Sequence, residues 1–248
     1  MQDEIMQPWV LVTGGSRGIG KGLVLELAKD YRVVFTYKSN AEQARAVEEA
    51  VLRMGGEAYA VQCDGSDPEA AKRLATQCLE RFGAPHAVIN NAGVTRDGLM
   101  MSMPLASWRD VISANLDAVF HVTQAFLPAM CGEKRGAVLL MSSVTAVKGN
   151  MGQANYAATK AAMAGLARTL ALETARFKIR VNAIAPGLID TDMADGIPEK
   201  ARQQLEKNIP LRRLGTVGEV AGLARYLLSD AAAYITGQTI VMDGGLSS

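Results

Sequence analysis

The stretch Thr13-Gly14-Gly15-Ser16-Arg17-Gly18-Ile19-Gly20 decides the fold, because it joins the apolar run Trp9–Thr13 to a segment of helical spacing, Gly18–Lys29. Glycines at such a junction let the backbone approach a dinucleotide pyrophosphate, and the amides and dipole of the helix N-terminus favour its negative charge. The spacing is not the usual G-x-G-x-x-G, and a glycine cluster alone is more often a turn. Its place after the first strand of an alternating chain nevertheless predicts a dinucleotide site. The residues predicted to form it are Gly14, Ser16, Arg17, Gly18, Ile19 and Gly20.

Short apolar runs alternate with longer amphipathic stretches along the rest of the chain. This alternation predicts an α/β fold with parallel strands, because each helix must carry the chain back across the sheet in a right-handed crossover. We predict a single doubly wound, Rossmann-type domain over residues 1–248, with a seven-stranded parallel sheet flanked by helices. The predicted strands are Trp9–Thr13, Val33–Thr36, Ala58–Gln62, Ala87–Asn90, Val138–Met141, Val181–Ile184 and Thr239–Met242. The predicted helices are Gly18–Lys29, Ala41–Met54, Glu69–Phe82, Leu105–Met130 (in two parts), Asn155–Phe177 and Val217–Leu228.

One long segment, Pro186–Pro210, shows neither the helical nor the strand spacing of apolar residues. Loops of that length are uncommon in compact domains unless they are functional. We therefore predict a substrate lid at about residues 187–210.

Composition narrows the possible functions. Lys and Arg number 26 against 25 Asp and Glu, so the chain lacks the basic field of a general nucleic-acid binder. The three cysteines have no close paired spacing, which indicates reduced thiols in a cytoplasmic protein. The N-terminus does not resemble a signal peptide, and no apolar stretch approaches the ~20 residues of a membrane span. With two histidines, Ser-His-Asp hydrolysis and His-ligated metals have few candidate groups, and we predict no metal site.

The end of the second predicted strand indicates the cofactor, since an acid there would bind the ribose of NAD and a cation the 2′-phosphate of NADP. Lys38 follows this strand, and Arg17 in the glycine loop supplies a second cation. We therefore predict NADPH, although a solvated Lys38 without a role is the alternative. Asp64 is either an acceptor for the adenine amino group or a helix N-cap. The stretch Asn90-Asn91-Ala92-Gly93 either lets the backbone and the ribose approach closely or forms a simple turn.

Tyr156 and Lys160 lie four residues apart on one predicted helix, so their side chains share a face. Tyrosine titrates near ~10, and a neighbouring ammonium would stabilise its phenolate and make it a useful proton donor and acceptor. Ser143 ends a strand at the carboxyl edge of the sheet, where such folds bind ligands, and strand alternation makes Ser142 its competitor. Asn115, inside a helical stretch, is a candidate to hold a water that leads to Lys160, or is a plain exposed asparagine.

The chain resembles the short-chain dehydrogenase/reductases over residues 9–245. Within that family, it is similar to the 3-oxoacyl-(acyl-carrier-protein) reductases in stretches such as Gly93–Asp97, Gly149–Ala158, Thr191–Met193 and Ala232–Gly237. The motifs that carry the family resemblance are, in chain order, Thr13–Gly20, Asn90–Gly93, Asn115, Ser143, Tyr156-x-x-x-Lys160 and Pro186-Gly187.

The resemblance implies the chemistry of the site. Tyr156 would be the general acid, Lys160 its pKa modulator and a ribose ligand, and Ser143 the group that orients the carbonyl. Asn115 would hold the water of the proton relay. Hydride would pass from NADPH to the ketone carbon of a 3-ketoacyl chain on acyl carrier protein. The implied cofactor-binding set is the glycine loop together with Lys38, Asp64, Asn91, Ala92, Gly93, Tyr156, Lys160, Pro186, Gly187 and Ile189.

The resemblance also implies a homotetramer, built on the Leu105–Met130 and Asn155–Phe177 helices and the C-terminal strand. The charge balance and the lack of a long apolar stretch predict no nucleic-acid or membrane partner. Small residues would permit close helix approach between subunits, or would pack inside the monomer; they are Ala157, Ala158, Ala161, Ala162 and Ala164. Candidate cations for the acidic carrier protein are Lys134, Arg135, Arg176 and Lys178, although Phe177 stands where a further cation is expected.

Three alternatives stay open. A reductase or dehydrogenase of another ketone, alcohol or acyl-CoA would use the same residues, because fold and motif do not select a substrate. A specialised, polyketide-like acyl chain also fits, and the Met-rich segment Leu99–Met103 would either shape its pocket or merely pack. A non-catalytic NADPH-binding module would have no need of Tyr156 as a proton donor.

Overall fold

Strands and helices alternate along the chain in a computed structural model, which describes residues 7–191 and 199–248. The observed strands and helices differ from the predicted ones mainly at their ends, because short local patterns do not define where an element begins or stops. The strands are β1 Trp9–Val12, β2 Arg32–Tyr37, β3 Ala58–Gln62, β4 Ala87–Asn90, β5 Gly136–Met141, β6 Ile179–Pro186, β7 Ile189–Asp190, β8 Gly215–Thr216 and β9 Thr239–Met242. The helices are α1 Gly18–Leu27, α2 Ala41–Arg53, α3 Pro68–Phe82, α4 Leu105–Ile112, α5 Ala118–Glu133, α6 Thr145–Lys148, α7 Ala154–Thr174, α8 Glu199–Lys207 and α9 Val217–Leu228.

Seven of these strands form one sheet in the order β3-β2-β1-β4-β5-β6-β9, and every pairing in it is parallel. The strand order changes direction at β1, which pairs with β2 on one side and with β4 on the other. In open sheets of this kind, ligands bind outside the carboxyl ends of the strands at such a switch point. The predicted fold class is confirmed, and the glycine loop, which follows β1, lies at this edge.

Alternate side chains of the strands enter two apolar layers, one on each face of the sheet. Val10 and Val12 of β1 pack with residues of α1 and α9, while Trp9 and Leu11 pack with residues of α3, α5 and α7. The central strands are therefore buried on both faces, which explains why their sequences are continuous apolar runs. This two-sided core fixes the carboxyl ends of β1, β4 and β5 beside one another.

The segment after β6 is more regular than the sequence predicts. Two-residue strands β7 and β8 pair in parallel, and α8 covers Glu199–Lys207. We did not predict α8 because its sequence, EKARQQLEK, is almost entirely polar and shows no apolar period. Residues 192–198 of the predicted lid lie outside the described residues, and the lid stays a prediction.

Three observations on the described residues bear on the compositional predictions. Cys63, Cys78 and Cys131 are free thiols. No helix in residues 7–191 and 199–248 has the length and apolar character needed to cross a membrane. The same residues contain no group of three His, Cys, Asp or Glu side chains suited to a metal ion.

Candidate active site

The glycine loop turns into α1 along a path that excludes side chains. Gly14 and Gly18 have φ values of +66° and +52°, in the left-handed region that favours glycine. At Gly20 a Cβ atom would lie 2.0 Å from the carbonyl oxygen of Gly14. Arg17 is the N-cap of α1 and makes no side-chain cap hydrogen bond. The first amides of α1 are therefore free of side-chain caps and form a backbone cradle that fits an anionic pyrophosphate.

Side chains from three strand ends hold the glycine loop in place. Thr13 Oγ1 accepts hydrogen bonds from the amides of Asn91 and Ala92, both at 3.0 Å. Asn91 Nδ2 donates to the carbonyls of Thr13 at 2.9 Å and Gly14 at 3.2 Å, and Thr36 Oγ1 accepts from the amide of Gly14 at 3.2 Å. The structural role of Thr13 and Thr36 was missed, since polar residues at the ends of buried strands were its only sequence signal.

Lys38 and Asp64 form an ion pair, with Lys38 Nζ 2.6 Å from Asp64 Oδ2. The alternative of Asp64 as a helix N-cap is wrong, because Asp67 caps α3. Asp64 Oδ1 instead accepts from the amide and hydroxyl of Ser66. Burial acts to raise the pKa of Asp64, but the hydrogen bonds from Lys38 and Ser66 outweigh it, so the pKa lies below its usual range. The exposed Arg17 side chain makes no ion pair with any described residue, and it remains available to an anion.

Ser143, rather than Ser142, faces Tyr156. The hydroxyl of Ser142 is buried and donates to the carbonyl of Lys160 at 2.7 Å, on the other side of the strand end. Ser143 hydrogen bonds to the Tyr156 hydroxyl, and its Oγ also accepts from the amide of Thr145 at 3.1 Å. Strand alternation thus separates the two serines as expected.

Lys160 is only 5% exposed, and its Nζ donates to the carbonyl of Met141 at 2.7 Å. Burial lowers the pKa of Lys160 to about 8. Lys160 Nζ lies 5.6 Å from the ring centre of Tyr156. Burial raises the pKa of Tyr156, the hydrogen bond with Ser143 opposes that rise, and the charge of Asp97 adds to it. The expectation that Lys160 brings the pKa of Tyr156 down therefore differs from the structure, because burial of the phenol dominates.

Asn115 lies in a π-turn, Ser113–Asp117, between α4 and α5, and it is fully buried. The alternative of an exposed helix asparagine is wrong. Its Oδ1 accepts from the amide of Val94 at 2.8 Å, and its Nδ2 donates to the carbonyl of Val94 at 2.9 Å and to Thr159 Oγ1 at 3.3 Å. A Cβ on Gly93 would lie 3.2 Å from Asn115 Oδ1 and 3.5 Å from Lys160 Nζ, so these groups are neighbours.

The other predicted cofactor-binding residues lie where β6 ends beside β5 and β9. The carbonyl of Pro186, the last residue of β6, accepts from the amide of Val144 at 2.8 Å. The amide of Gly187 donates to the carbonyl of Met242, the last residue of β9. A Cβ on Gly187 would lie 2.7 Å from the Cα atom of Asp243, which follows β9. Ile189 begins β7 and is paired with β8. This junction is at the same sheet edge as the end of β5, where Ser143 follows.

The candidate cations for a carrier protein lie at the opposite edge of the sheet. Lys134 and Arg135 precede β5, and Arg176 precedes β6, whereas Tyr156 follows β5 at the start of α7. At ~1.5 Å of rise per residue, α7 separates Arg176 from Tyr156 by about 30 Å. The predicted helix Asn155–Phe177 already implied this distance, and these cations do not flank the active site of their own chain.

A glycine loop on a helix N-terminus, at the switch point of a parallel sheet that also carries a serine, a tyrosine and a lysine, is typical of dinucleotide-dependent oxidoreductases. Comparison with known proteins agrees. The family model described as Enoyl-(Acyl carrier protein) reductase matches residues 14–247. A short-chain dehydrogenase/reductase double mutant from Serratia marcescens has a similar structure, with a TM-score of 0.92 and 34% identity, over 98% of this chain and 99% of that one.

Curated relatives cover nearly the whole chain. The 3-oxoacyl-(acyl-carrier-protein) reductase FabG of Staphylococcus aureus (strain Mu50) is 42% identical over 237 residues, which span 95% of this chain and 96% of the relative. The 3-oxoacyl-(acyl-carrier-protein) reductase of Synechocystis sp. is 43% identical over 238 residues, 95% of each chain. The chain belongs to the short-chain dehydrogenase/reductase family. It is an oxidoreductase that acts on CH-OH and C=O groups with an NAD(P) cofactor, and the predicted family is confirmed.

Proposed function

We propose that this chain is an NADPH-dependent 3-oxoacyl-(acyl-carrier-protein) reductase, which converts a 3-oxoacyl thioester to the 3-hydroxyacyl thioester. The observation that carries the proposal is the placement of Ser143, Tyr156 and Lys160 at the sheet edge that also bears the glycine loop. The names of curated relatives, 40 to 43% identical over nearly the whole chain, support the substrate class. A non-catalytic binding module would have no need of Tyr156 as a proton donor.

In this proposal, the chain's own residues bind the ketone and deliver its proton. Ser143 donates a hydrogen bond to the substrate carbonyl oxygen and orients it toward Tyr156. Tyr156, whose pKa burial raises, is protonated at neutral pH and gives its proton to that oxygen as charge develops. Bound NADPH supplies the hydride. Lys160 holds the ribose hydroxyls and, while charged, stabilises the phenolate that Tyr156 leaves behind.

Proton return follows the buried polar groups behind Lys160. Both N–H groups of the Asn115 side chain are used by Val94 and Thr159, so this side chain has only a spare lone pair on Oδ1 to offer a water. The π-turn around Asn115 also changes the backbone hydrogen-bond pattern, and such turns often occur at functional sites. We propose that Oδ1 and the carbonyls of this turn together hold the relay water beside Lys160.

The preference for NADPH rests on Arg17 and Lys38. Both are exposed cations at the strand ends where the adenosine ribose would lie, and no acid occupies the position that binds the ribose of NAD. Asp64 holds the Lys38 ammonium at 2.6 Å and so fixes it at the end of β2. A 2′-phosphate would compete with Asp64 for Lys38, and Asp64 would then accept from the adenine amino group.

A homotetramer is supported by apolar side chains that a single chain leaves in solvent. Leu172 of α7 is 83% exposed, and Leu105 of α4 and Phe120 of α5 are also exposed. Ala158 and Ala161 are exposed on α7, so the alternative that these two alanines pack inside the monomer is wrong. Helices with small exposed residues can approach a second copy closely. We propose that α4, α5 and α7 form subunit contacts.

A long or specialised acyl chain is supported by exposed methionines near the start of α7. Met101 is 91% exposed and Met151 88% exposed, and the two segments meet where the amide of Gly98 donates to the carbonyl of Gly152 at 2.8 Å. Contiguous exposed apolar side chains mark binding surfaces, and methionine adapts to varied apolar ligands. We propose that these methionines contact the acyl chain of the substrate.

Turnover of defined substrates tests the proposed function. The rate of NADPH oxidation, followed by absorbance, is measured with 3-oxoacyl chains on carrier protein, on coenzyme A and with simple ketones. We expect carrier-bound substrates and NADPH to be preferred. Tyr156→Phe should lower kcat about 10²- to 10⁴-fold and leave NADPH affinity unchanged. Tyr59→Phe, whose ring packs on Phe82 away from the site, is the matched control and should keep full activity. Activity only on free ketones, or an unimpaired Tyr156→Phe enzyme, would contradict the proposal.

A further inference from the structure

A buried asparagine, Asn155, connects three parts of the catalytic end of the molecule. It is the second residue of α7 and is 0% exposed. Its Oδ1 accepts a hydrogen bond from the amide of Tyr156 at 2.8 Å, and its Nδ2 donates to the carbonyls of Arg96 at 2.9 Å and Ser107 at 3.3 Å. One side chain thus joins the first turn of α7, the segment after β4, and helix α4.

The first turn of α7 depends on this side chain. The amides of a first helical turn have no partner within the helix, and the N-cap of α7, Gln153, makes no side-chain cap hydrogen bond. Asn155 supplies the missing acceptor for the amide of Tyr156. Gln153 Nε2 instead donates to the two carboxylate oxygens of Asp97, at 3.2 and 3.1 Å. The segment 94–98 is therefore tied to the start of α7 by Asn155, by Gln153 and by the Gly98–Gly152 backbone bond.

The same segment also reaches the other half of the site. Asn115 hydrogen bonds to both the amide and the carbonyl of Val94, and Gly93 lies against Asn115 and Lys160. Residues 93–98 thus run from the surroundings of Lys160 to the first turn of α7, which carries Tyr156. A shift of that turn would move the Tyr156 hydroxyl away from Ser143, whereas Lys160, one turn further along, is held separately by its bond to Met141.

We propose that Asn155 is a positioning residue for Tyr156, which acts together with Gln153 by bracing the first turn of α7 against segment 94–98. This proposal rests on the proposed role of Tyr156 in carbonyl reduction. Loss of the Asn155 side chain leaves the buried amide of Tyr156 and two carbonyls without this partner. The first turn then gains freedom in a site where a displacement of 1 Å can lower the rate by about 10²-fold.

The test compares Asn155 with a buried asparagine that has similar bonds and lies away from the site. Asn182 of β6 is 1% exposed, donates to the carbonyl of Ile235 at 2.8 Å and accepts from the amide of Gln238 at 3.0 Å. Steady-state kinetics and thermal unfolding are measured for Asn155→Ala and Asn182→Ala. We expect both to lose thermal stability. Only Asn155→Ala should lose kcat, by about 10- to 100-fold, with the KM for NADPH unchanged.

Two further variants keep the test decisive. Asn155→Asp keeps the acceptor for the Tyr156 amide but turns a carboxylate oxygen toward the carbonyls of Arg96 and Ser107, so its loss of kcat should be at least as large. Gln153→Ala removes the bonds to Asp97 together with those that Gln153 Oε1 accepts from Asn150 and Thr145, and it leaves Asn155 in place. It should fold normally and should lower kcat about 3-fold, a small fraction of the loss expected from misplacement of the whole turn.

Wild-type kcat in a folded, destabilised Asn155→Ala enzyme would overturn the positioning role, since a purely structural residue behaves as Asn182 does. If neither Asn155 variant folds, an unchanged kcat in Gln153→Ala overturns it. The kcat of each variant is compared with that of the wild-type enzyme on a carbonyl substrate that the wild-type enzyme reduces. A wild-type enzyme that reduces other ketones but no 3-oxoacyl thioester would count against the proposed function alone.

Discussion

Replacing Lys160 by methionine should make the protein more stable and inactive at the same time. The pKa of Lys160 falls from 10.5 to about 8 because the side chain is buried. The unfolded chain therefore binds more protons than the folded one between pH ~8 and pH ~10.5, and the penalty for burying the charged amine is fully present below pH ~8. A gap of about 2.5 between the two pKa values corresponds to about 3 kcal/mol. Methionine at position 160 cannot donate the hydrogen bond to the carbonyl of Met141, and this loss reduces the gain in stability by about 1 kcal/mol.

The expected net gain for Lys160→Met is about 2 kcal/mol at pH 7, or a rise of roughly 4–8 °C in Tm for a chain of this size. The gain should shrink toward zero near pH 10, because the wild-type amine is then neutral when folded and increasingly neutral when unfolded. Urea unfolding at pH 7 and pH 10, at one protein concentration, measures the gain in the free energy of unfolding at each pH. Lys72→Met is the control, since Lys72 is exposed on α3 and should change stability by less than about 0.5 kcal/mol. A gain that is absent at pH 7, or equal at both pH values, would refute the reasoning.

Three other predictions concern catalysis and specificity. Because the pKa of Lys160 in the free chain is about 8 and its charged form assists the reaction, kcat/KM for NADPH should fall as the pH rises through about 8; a value of kcat/KM that stays level up to pH 10 contradicts this. Lys38→Ala should raise the KM for NADPH about 10- to 100-fold by removing a charge-assisted bond, and should leave the KM for NADH unchanged; equal effects on both cofactors would exclude a contact with the 2′-phosphate. Met151→Ser should lower kcat/KM for a twelve-carbon 3-oxoacyl thioester by about 5- to 10-fold, the loss expected from roughly half of a buried methionine, with no change for acetoacetyl; Leu52→Ser, at another exposed apolar residue, on α2, should affect neither.

The sequence predicted those parts of the molecule that depend on local pattern. The apolar runs of the central strands, the glycine loop and the i, i+4 pair of Tyr156 and Lys160 all carry their meaning within a few residues. The helix α8 was missed because polar residues have no apolar period to reveal it. The ion pair of Lys38 with Asp64 and the support of Gly14 by Thr36 were missed for a different reason, since each joins separate strand ends that only the sheet order brings together.

The candidate catalytic residues were predictable as a set, while their electrostatics were not. Sequence spacing suggested that Lys160 would bring the pKa of Tyr156 down, as an ammonium beside a phenol does in water. The structure buries both groups, and burial opposes charge on each, so it raises the pKa of Tyr156 and lowers that of Lys160. Near neutral pH the phenol is therefore protonated, while Lys160 stays mostly charged until the pH rises through about 8. A tyrosine held in its protonated form is prepared to donate, which suits ketone reduction near neutral pH. Alcohol oxidation by the same residues requires the phenolate, and it should therefore need a higher pH.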